Sequence, residues 1–274
     1  MRRPEPPLAR TAKQETTVEP TQLKLDIADG VATVTLARPP VNAMSRQLRL
    51  ELMDTFDSLN DRADVRCIVL TSAGKVFCAG ADIKERAAIA DQPGDHGRLN
   101  RLVREVFYSV MECSKPVIAA VNGPAIGAGF ALVLCCDILL ASEDATFAMP
   151  EIDVGMAGGV KFLQRHFSPS YSRWLMLTGE RVSAAELHRL GVIQSAVPAA
   201  ALPEAAAKLA RTIAAKSPLA VKVIKESFST VESMSLRDGY RLEQNKTVEL
   251  NRTEDAKEAK RAFIEKRKPN FVGR

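Results

Sequence analysis

The chain has 274 residues, 46% of them apolar and 26% charged, which is enough to bury a large core and is typical of a folded globular protein. Lysine and arginine exceed the acidic residues by 38 to 33, and the few aromatic residues (5%) are not interleaved with basic ones, so we expect no nucleic-acid partner. The longest apolar run, residues 130–141, is interrupted by Asp137 and is shorter than the roughly 20 residues that span a bilayer, which predicts no membrane helix.

Residues 1–22 differ in composition from the rest of the chain. They are rich in proline, threonine and charge, and they contain no apolar segment. This composition is not that of a secretory signal or a typical transit peptide. It predicts a disordered tail.

The cysteines and histidines show no spacing that would hold a metal. The cysteines stand in apolar runs without Cys-x-x-Cys pairs, which predicts buried thiols in a reducing compartment and hence a cytoplasmic location. The histidines are far apart in sequence and form no ligand pattern, so we expect no metal. These residues are Cys67, Cys78, Cys113, Cys135, Cys136, His96, His166 and His188.

The first elements alternate between strand and helix patterns. Asp29 and Gly30 form a hairpin signal between predicted strands at 23–28 and 31–36. Ser45 can then cap a helix that runs to about Asp61, since its apolar residues recur at helical spacing. The continuous apolar segment RCIVLTS, residues 66–72, predicts a strand covered on both faces.

The next units repeat this order. VFCAGADIKE, residues 76–85, passes from strand to loop to helix, with Asp82 and Glu85 spaced like a capping box. A second amphipathic helix spans Leu99 to Val110, and short strands follow at 116–121, 138–141 and 146–148.

From Val160 onward the pattern is almost wholly helical. Repeated strand-strand-helix units are the signature of an α/β protein. We therefore predict a core over residues 23–200 and a C-terminal helical region over 201–274.

The stretch VNGPAIGAGFALVLCCDILLA, residues 121–141, carries its glycines at the start of a predicted helix. It matches neither the dinucleotide fingerprint nor a phosphate loop. Small residues at Gly127, Ala128 and Gly129 allow a ligand to approach backbone N–H groups, which suits an oxyanion, although a tight turn with close packing explains them equally well. FCAGADI, residues 77–83, is a second such junction, and two junctions could each direct one N–H to a single oxygen.

Four segments, in this order and spacing, resemble the crotonase (enoyl-CoA hydratase/isomerase) superfamily: FCAGADIK, AAVNGPAIGAGF, CDILLASEDATFAMPEIDVG and LTGERVSAAE. The C-terminal AFIEKRKPNFVGR also resembles that family, so the similarity covers roughly residues 23–274. The resemblance implies a spiral of ββα units and C-terminal helices that drive trimerisation, often to a hexamer. It also implies an acyl-CoA thioester substrate, with coenzyme A as part of that substrate and no separate cofactor.

The resemblance further assigns site residues. It places the two oxyanion donors on the N–H groups of Ala79 and Ala128, and it places coenzyme A against Gly127 and the segment that comprises Ala79, Gly80, Ala81, Asp82 and Ile83. Phe263 and Lys266 match positions where the family's C-terminal helix contacts the nucleotide, either of the same subunit or of a neighbouring one. For Asp82 we prefer the role of a helix cap to a catalytic one, and Lys266 can equally be one charge on a solvated basic helix.

The acidic residues limit the chemistry. Family hydratases carry two glutamates, and here Glu151 fills the second position while Ala131 fills the first. Glu151 is then the lone candidate for general acid/base work, which is sufficient to move a double bond or to protonate an enolate after decarboxylation. Asp153 is a weaker candidate for a second acid, and a solvent-facing role is the structural alternative for Glu151.

Several functions therefore stay open. Isomerase-type chemistry has the mechanistic advantage, whereas overall resemblance suggests a hydratase. Decarboxylase and hydrolase chemistry, or a non-catalytic protein that binds RNA through its basic ends, are the alternatives. A serine hydrolase is disfavoured, because the sequence lacks a Gly-x-Ser-x-Gly motif.

Overall fold

The computed structural model describes residues 20–88 and 92–274. Residues 1–19 of the predicted disordered tail lie outside the described residues. Thr21 and Gln22, at the end of that segment, donate their backbone N–H groups to the carboxylate of Glu51 at 2.9 and 2.8 Å.

Strands and helices alternate through the first two thirds of the described chain. The strands are Leu23–Ala28 (β1), Val31–Leu36 (β2), Cys67–Ser72 (β3), Val117–Val121 (β4), Ala125–Ile126 (β5), Ile138–Ser142 (β6), Thr146–Ala148 (β7), Val182–Ser183 (β8) and Ser195–Val197 (β9). The α-helices are Arg46–Asp61 (α1), Ile83–Ala87 (α2), Asp95–Met111 (α3), Ala128–Leu134 (α4), Val160–His166 (α5), Pro169–Thr178 (α6), Ala184–Arg189 (α7), Leu202–Ala214 (α8), Pro218–Val231 (α9), Leu236–Leu250 (α10) and Glu254–Ile264 (α11).

Local sequence signals explain the first elements. Asp29 and Gly30 both have positive φ (51° and 78°), the backbone that a tight two-residue hairpin requires, so β1 and β2 pair antiparallel as predicted. The Ser45 hydroxyl accepts the Leu48 N–H at 3.0 Å and begins α1 as predicted.

Two sheets are built from repeated units. The six-stranded sheet has the order β1-β2-β3-β4-β6-β9, parallel from β2 onward, and the three-stranded sheet has the order β5-β7-β8. Strands β4 and β6 lie in the large sheet, and each is followed in the chain by a strand of the small sheet, β5 and β7 respectively. Successive units therefore stack on one another, and the loops between the paired strands lie along one edge of both sheets.

Helices cover both faces of the large sheet. Ile68 and Leu70 of β3 face a core that includes the apolar residues of α1, α3 and α4, while Cys67 and Val69 face the opposite side. On that side α8 packs its residues Leu202, Ala206, Ala210 and Ala214. The helix α8 begins directly after the predicted boundary at residue 200 and covers the core sheet.

Some predicted details are wrong. The region after Val160 is mainly helical, as predicted, but the pattern did not predict the short strands β8 and β9, which each join one of the sheets. The capping box at Asp82 and Glu85 is only half formed, because the Glu85 carboxylate accepts the N–H of Arg46 at 2.7 Å instead of returning to Asp82. Glu85 thus helps to cap α1, which begins 39 residues earlier.

All five cysteines are buried with free thiols, as predicted. Burial raises the pKa of Cys67 to about 12 and that of Cys78 to about 11. No helix in residues 20–88 or 92–274 has the length and apolar character needed to cross a membrane.

Candidate active site

Two loops meet where the small sheet begins. The first loop is residues 77–83 and the second loop is residues 122–128. Cys78 of the first loop accepts the Ile126 N–H at 2.9 Å and donates to the Pro124 carbonyl at 3.2 Å. A Cβ on Gly80 would lie 2.8 Å from the Ile126 oxygen and 3.6 Å from the Ala128 nitrogen, so only glycine at position 80 permits this approach.

The structure contradicts the expectation that the Ala79 N–H is free to bind an oxyanion. The Ala79 N–H donates to the Val41 carbonyl at 3.0 Å, so it is not free to bind a ligand. Ala81 instead pairs with Met44 in an isolated parallel bridge. The residues on either side of Ala81 form the two hydrogen bonds: the Gly80 carbonyl accepts the Met44 N–H at 2.8 Å, and the Asp82 N–H donates to the Met44 carbonyl at 3.3 Å. In that arrangement the Ala81 N–H points away from Met44, and it has no hydrogen-bond partner in the described parts of the chain.

Ala128, to which the resemblance assigns the second donor, is the first residue of α4, and its N–H is without a partner among the residues described. Gly127 precedes it with φ 54° and ψ −121°, a backbone conformation that residues other than glycine rarely adopt. Gly127 is fixed in turn by donating its N–H to the Ala148 carbonyl at 2.8 Å. The loop therefore holds the Ala128 N–H in a defined direction.

Glu151 lies against this loop. It belongs to the 3₁₀ helix Pro150–Val154, which directly follows β7 of the small sheet. A Cβ on Gly127 would be only 2.7 Å from Glu151 Oε1. Its Oε2 atom is fully enclosed and has no hydrogen-bond partner among the described residues, and burial raises the pKa of the carboxyl group above its ordinary value.

No second carboxylate stands on α4, all of whose residues are described. Ala131 lies one turn after Gly127, is 3% exposed and packs in the apolar core. Asp153 is exposed, and its Oδ2 lies beside Gly179 at the end of α6. The geometry thus favours Glu151 over Asp153 as the group next to the two loops.

Asp82 is a helix cap, and its carboxylate is already bound. It accepts the N–H groups of Lys84 and Glu85 at 3.1 and 3.2 Å, and it pairs with Arg38 at 2.6 Å. These hydrogen bonds, followed by the charge of Arg38, lower the pKa of Asp82. Ile83, the first residue of α2, is 63% exposed and leaves an apolar surface beside the loop.

Phe263 and Lys266 lie at the end of α11. The Phe263 side chain is 86% exposed and Lys266 is also exposed. Neither forms a hydrogen bond or ion pair with the two loops within the described chain. Their contact with a nucleotide, in this subunit or a neighbouring one, stays a prediction.

A cavity of about 400 Å³ opens beside the first loop. One lining residue that no sequence pattern singled out is Arg49 of α1, which is only 5% exposed. Burial lowers the pKa of Arg49, but a guanidinium stays charged in a protein. The lining residues are Arg46, Arg49, Ala81, Asp82, Glu85, Arg86, Ala88, Asp95, Arg98, Leu99 and Leu102.

Two unpaired N–H groups where the two loops meet, one buried carboxylate and an adjacent cavity are the features expected of acid/base chemistry next to a polarised carbonyl. Comparisons with known proteins agree with this class. The family described as enoyl-CoA hydratase/isomerase matches residues 26–274, and the chain belongs to that family. The predicted crotonase-like α/β fold is therefore confirmed, and the substrate class of the family is an acyl-CoA thioester.

Relatives with different reactions resemble the chain to similar degrees. It is 36% identical to a (7aS)-7a-methyl-1,5-dioxo-2,3,5,6,7,7a-hexahydro-1H-indene-carboxyl-CoA hydrolase of Rhodococcus jostii over 88% of this chain and 93% of the relative. It is 34% identical to a carnitinyl-CoA dehydratase of Proteus mirabilis over 92% and 98%. The crystal structure of an enoyl-CoA hydratase from Bacillus anthracis superposes with a TM-score of 0.88 at 34% identity, covering 92% of this chain and all of that one.

Proposed function

We propose that this acyl-CoA enzyme stabilises a thioester enolate with the N–H groups of Ala81 and Ala128, and that Glu151 is its single acid/base residue. The reaction that fits best is migration of a double bond from the 3,4 to the 2,3 position of an enoyl-CoA. The observation that carries the proposal is the Glu151 carboxylate, whose buried Oε2 has no partner in the described chain and which lies directly over Gly127.

The enolate needs the two N–H groups because negative charge develops on the thioester oxygen when the α-proton leaves. Donors that are already oriented stabilise that charge without reorganisation, and loss of one such donor typically costs about 100- to 1000-fold in rate. Ala81 and Ala128 suit this role, since the described residues leave both N–H groups unpaired at the junction of the two loops.

Glu151 can complete the isomerisation alone. As a carboxylate it removes a proton from C2 of a 3-enoyl-CoA, and the electron pair delocalises over the diene to the thioester oxygen. The carboxylic acid then returns the proton to C4, so the double bond ends between C2 and C3 and no water is consumed. Burial, which raises the pKa of Glu151, brings it closer to the range in which one group can both take and return a proton.

Thioester hydrolysis is the second candidate. It is favoured by the similarity to the Rhodococcus relative named as a CoA hydrolase. Hydration is less favoured, because a second carboxylate to share the positioning of water is absent from α4. Decarboxylation uses the same enolate and stays an alternative.

We also propose the assembly and location. Exposed apolar side chains on α9 and α10, including Phe228 at 74% and Leu236 at 90%, support a homotrimer or a dimer of trimers. Phe263 and Lys266 would then contact coenzyme A from the C-terminal helix. The five free, buried thiols suit a cytoplasmic enzyme.

Glu151→Gln tests the mechanism. The purified enzyme and this variant are incubated in D₂O with a short 3-enoyl-CoA and a short 2-enoyl-CoA, and the products are followed by mass spectrometry. We expect the wild type to isomerise the 3-enoyl-CoA and to exchange α-hydrogens without hydration. The variant should lose about 100- to 10,000-fold in rate while it binds the acyl-CoA nearly as tightly, because only the proton carrier is removed.

The other outcomes separate the candidates. Hydrated product from the 2-enoyl-CoA would show that another group replaces the glutamate absent at position 131. Release of free coenzyme A would favour the hydrolase. Undiminished turnover by Glu151→Gln would overturn the assigned role.

A further inference from the structure

Arg49 is a buried cation without an acidic partner in the described chain. Its side chain belongs to α1, whose apolar face fills the core, and the residue is 5% exposed. Its guanidinium forms no hydrogen bond and no ion pair within 4.0 Å in residues 20–88 and 92–274, and only its backbone is bonded, with the N–H donating to the Ser45 carbonyl at 3.1 Å. The guanidinium reaches the cavity, where an anion that binds there can pair with it.

Two acids lie near Arg49, but neither forms an ion pair with its guanidinium in the described chain. Asp82 and Glu85 lie near enough to interact with its charge. The Asp82 carboxylate pairs with Arg38 and caps α2, and Glu85 accepts the N–H of Arg46. Arg49 is therefore left with attractive charges nearby but with no carboxylate of the described residues in contact.

The rest of the cavity lining has as many basic as acidic residues, Arg46, Arg86 and Arg98 against Asp82, Glu85 and Asp95, so Arg49 gives the lining its net positive charge. Four arginines line it, and only Arg98 has an ion pair among the described residues, with Asp95. Arg46 and Arg86 add two positive charges that form no ion pair with any carboxylate the structure describes. Leu99 and Leu102 of α3 supply apolar surface on the facing side. A ligand that suits this lining has an apolar body and an anionic end.

The cavity adjoins the reacting position. Ala81, whose free N–H is the proposed oxyanion donor, lies in the lining together with Arg49. A group attached to the carbonyl carbon at Ala81 can therefore extend into the cavity. The two groups on that carbon are the acyl chain and the sulfur of coenzyme A, and Arg49 lies near whichever of them enters the cavity.

We propose that Arg49 binds a carboxylate at the far end of the substrate's acyl group, so that the enzyme acts on the coenzyme A thioester of a dicarboxylic acid. This inference rests on the proposed function and specifies its substrate. The guanidinium offers planar, bidentate donors that match a carboxylate, and the bound anion would supply the missing partner. A phosphate of coenzyme A is the other anion that could meet the same group.

Binding of two thioesters of equal carbon number tests the proposal. Isothermal titration compares glutaryl-CoA, which carries a terminal carboxylate, with valeryl-CoA, which does not. We expect the wild type to bind glutaryl-CoA about tenfold or more tightly, the effect of one charged hydrogen-bonded pair. Arg49→Met should remove this preference by weakening glutaryl-CoA alone. Arg62→Met is the matched control, because Arg62 lies just beyond the same helix, is exposed and pairs with Asp64.

Each further outcome is decisive. Equal affinity of the wild type for both thioesters would overturn the inference without any variant, even if Arg49→Met folds poorly. Equal weakening of both thioesters and of free coenzyme A by Arg49→Met would assign the guanidinium to a coenzyme A phosphate and overturn it too. Arg49→Lys, which keeps the charge, should retain part of the preference. Failure of the wild type to bind either thioester would overturn the proposed function as well, whereas turnover of valeryl-type substrates with no preference would overturn only this inference.

Discussion

At the scale of single residues, Glu151 shows how a site can be recognised from an unfavourable contact. Its enclosed Oε2 atom lacks a partner among the described residues, and its Oε1 atom occupies the space that a side chain at Gly127 would fill. A buried polar atom without a hydrogen bond costs free energy of folding. Such an arrangement is retained when the group acts on a ligand, which then supplies the missing contact.

The first prediction concerns pH. A base must be ionised to remove a proton, and burial raises the pKa of Glu151 above its ordinary 4.5. The kcat/KM for a 3-enoyl-CoA should therefore fall as the pH is lowered through an inflection that lies above 4.5. A pH–rate profile with a substrate that does not titrate in this range measures it.

The pH dependence of the melting temperature tests the raised pKa of Glu151 independently of the kinetics. Because the folded-state pKa of Glu151 is raised, its contribution to folding is fully present below the unfolded pKa and is lost as the pH rises through the folded pKa. The melting temperature of the wild type should fall relative to that of Glu151→Gln over this window. A difference in melting temperature that does not change with pH would contradict the raised pKa.

Gly127→Ala is the second prediction at this scale. The added Cβ would meet Glu151 Oε1 at 2.7 Å, and the positive φ of 54° strains any other residue. We expect the rate to fall about 100- to 1000-fold, the loss typical of a displaced oxyanion donor, with a destabilisation of about 1–3 kcal/mol. Steady-state kinetics and thermal unfolding measure the two effects.

Gly158→Ala is the matched control for Gly127→Ala. A Cβ added at Gly158 would meet no heavy atom of the described residues within 4 Å, and this glycine has no positive φ, so the substitution should change neither quantity appreciably. If Gly127→Ala retained full activity, the second loop would have no role in catalysis.

At the scale of elements, the sequence predicted the strands and helices that are long enough for their apolar residues to recur at regular spacing. Strands β1 and β2 and helix α1 occur where the hairpin signal, the Ser45 cap and the apolar spacing place them. Strands β5, β8 and β9 have only two or three residues, too few for any alternation, and they form because neighbouring strands supply their partners.

The site could be predicted only in part, for a related reason. Glycine spacing and the family resemblance point to the two loops and to Glu151. The choice between Ala79 and Ala81 depends on which N–H bonds to the segment at Val41 and Met44, more than 30 residues earlier in the chain. Arg49 was missed because a charged residue beside an apolar helical stripe normally reaches solvent, and only the packing of α1 against the first loop encloses it.

At the scale of the whole molecule, the C-terminal helices are incompletely covered by their own chain. Helix α9, Pro218–Val231, contains no buried residue, and Ile224 and Phe228 on it are 55% and 74% exposed. Leu236 and Tyr240 at the start of α10 are also exposed, at 90% and 59%. Apolar side chains concentrated on adjoining helices mark an interaction surface, and additional copies of the chain are the partners that the family resemblance implies.

The final prediction is therefore oligomeric state. Light scattering coupled to size-exclusion chromatography should give three or six times the 29.8 kDa mass of one chain. Phe228→Glu should shift the mass towards that of the monomer, since it places a charge within the apolar surface. Ser229→Glu adds the same charge at the next, also exposed position, and should leave the assembly intact. A wild-type mass of one chain would contradict the assembly, and it would require Phe263 and Lys266 to contact coenzyme A within their own subunit or not at all.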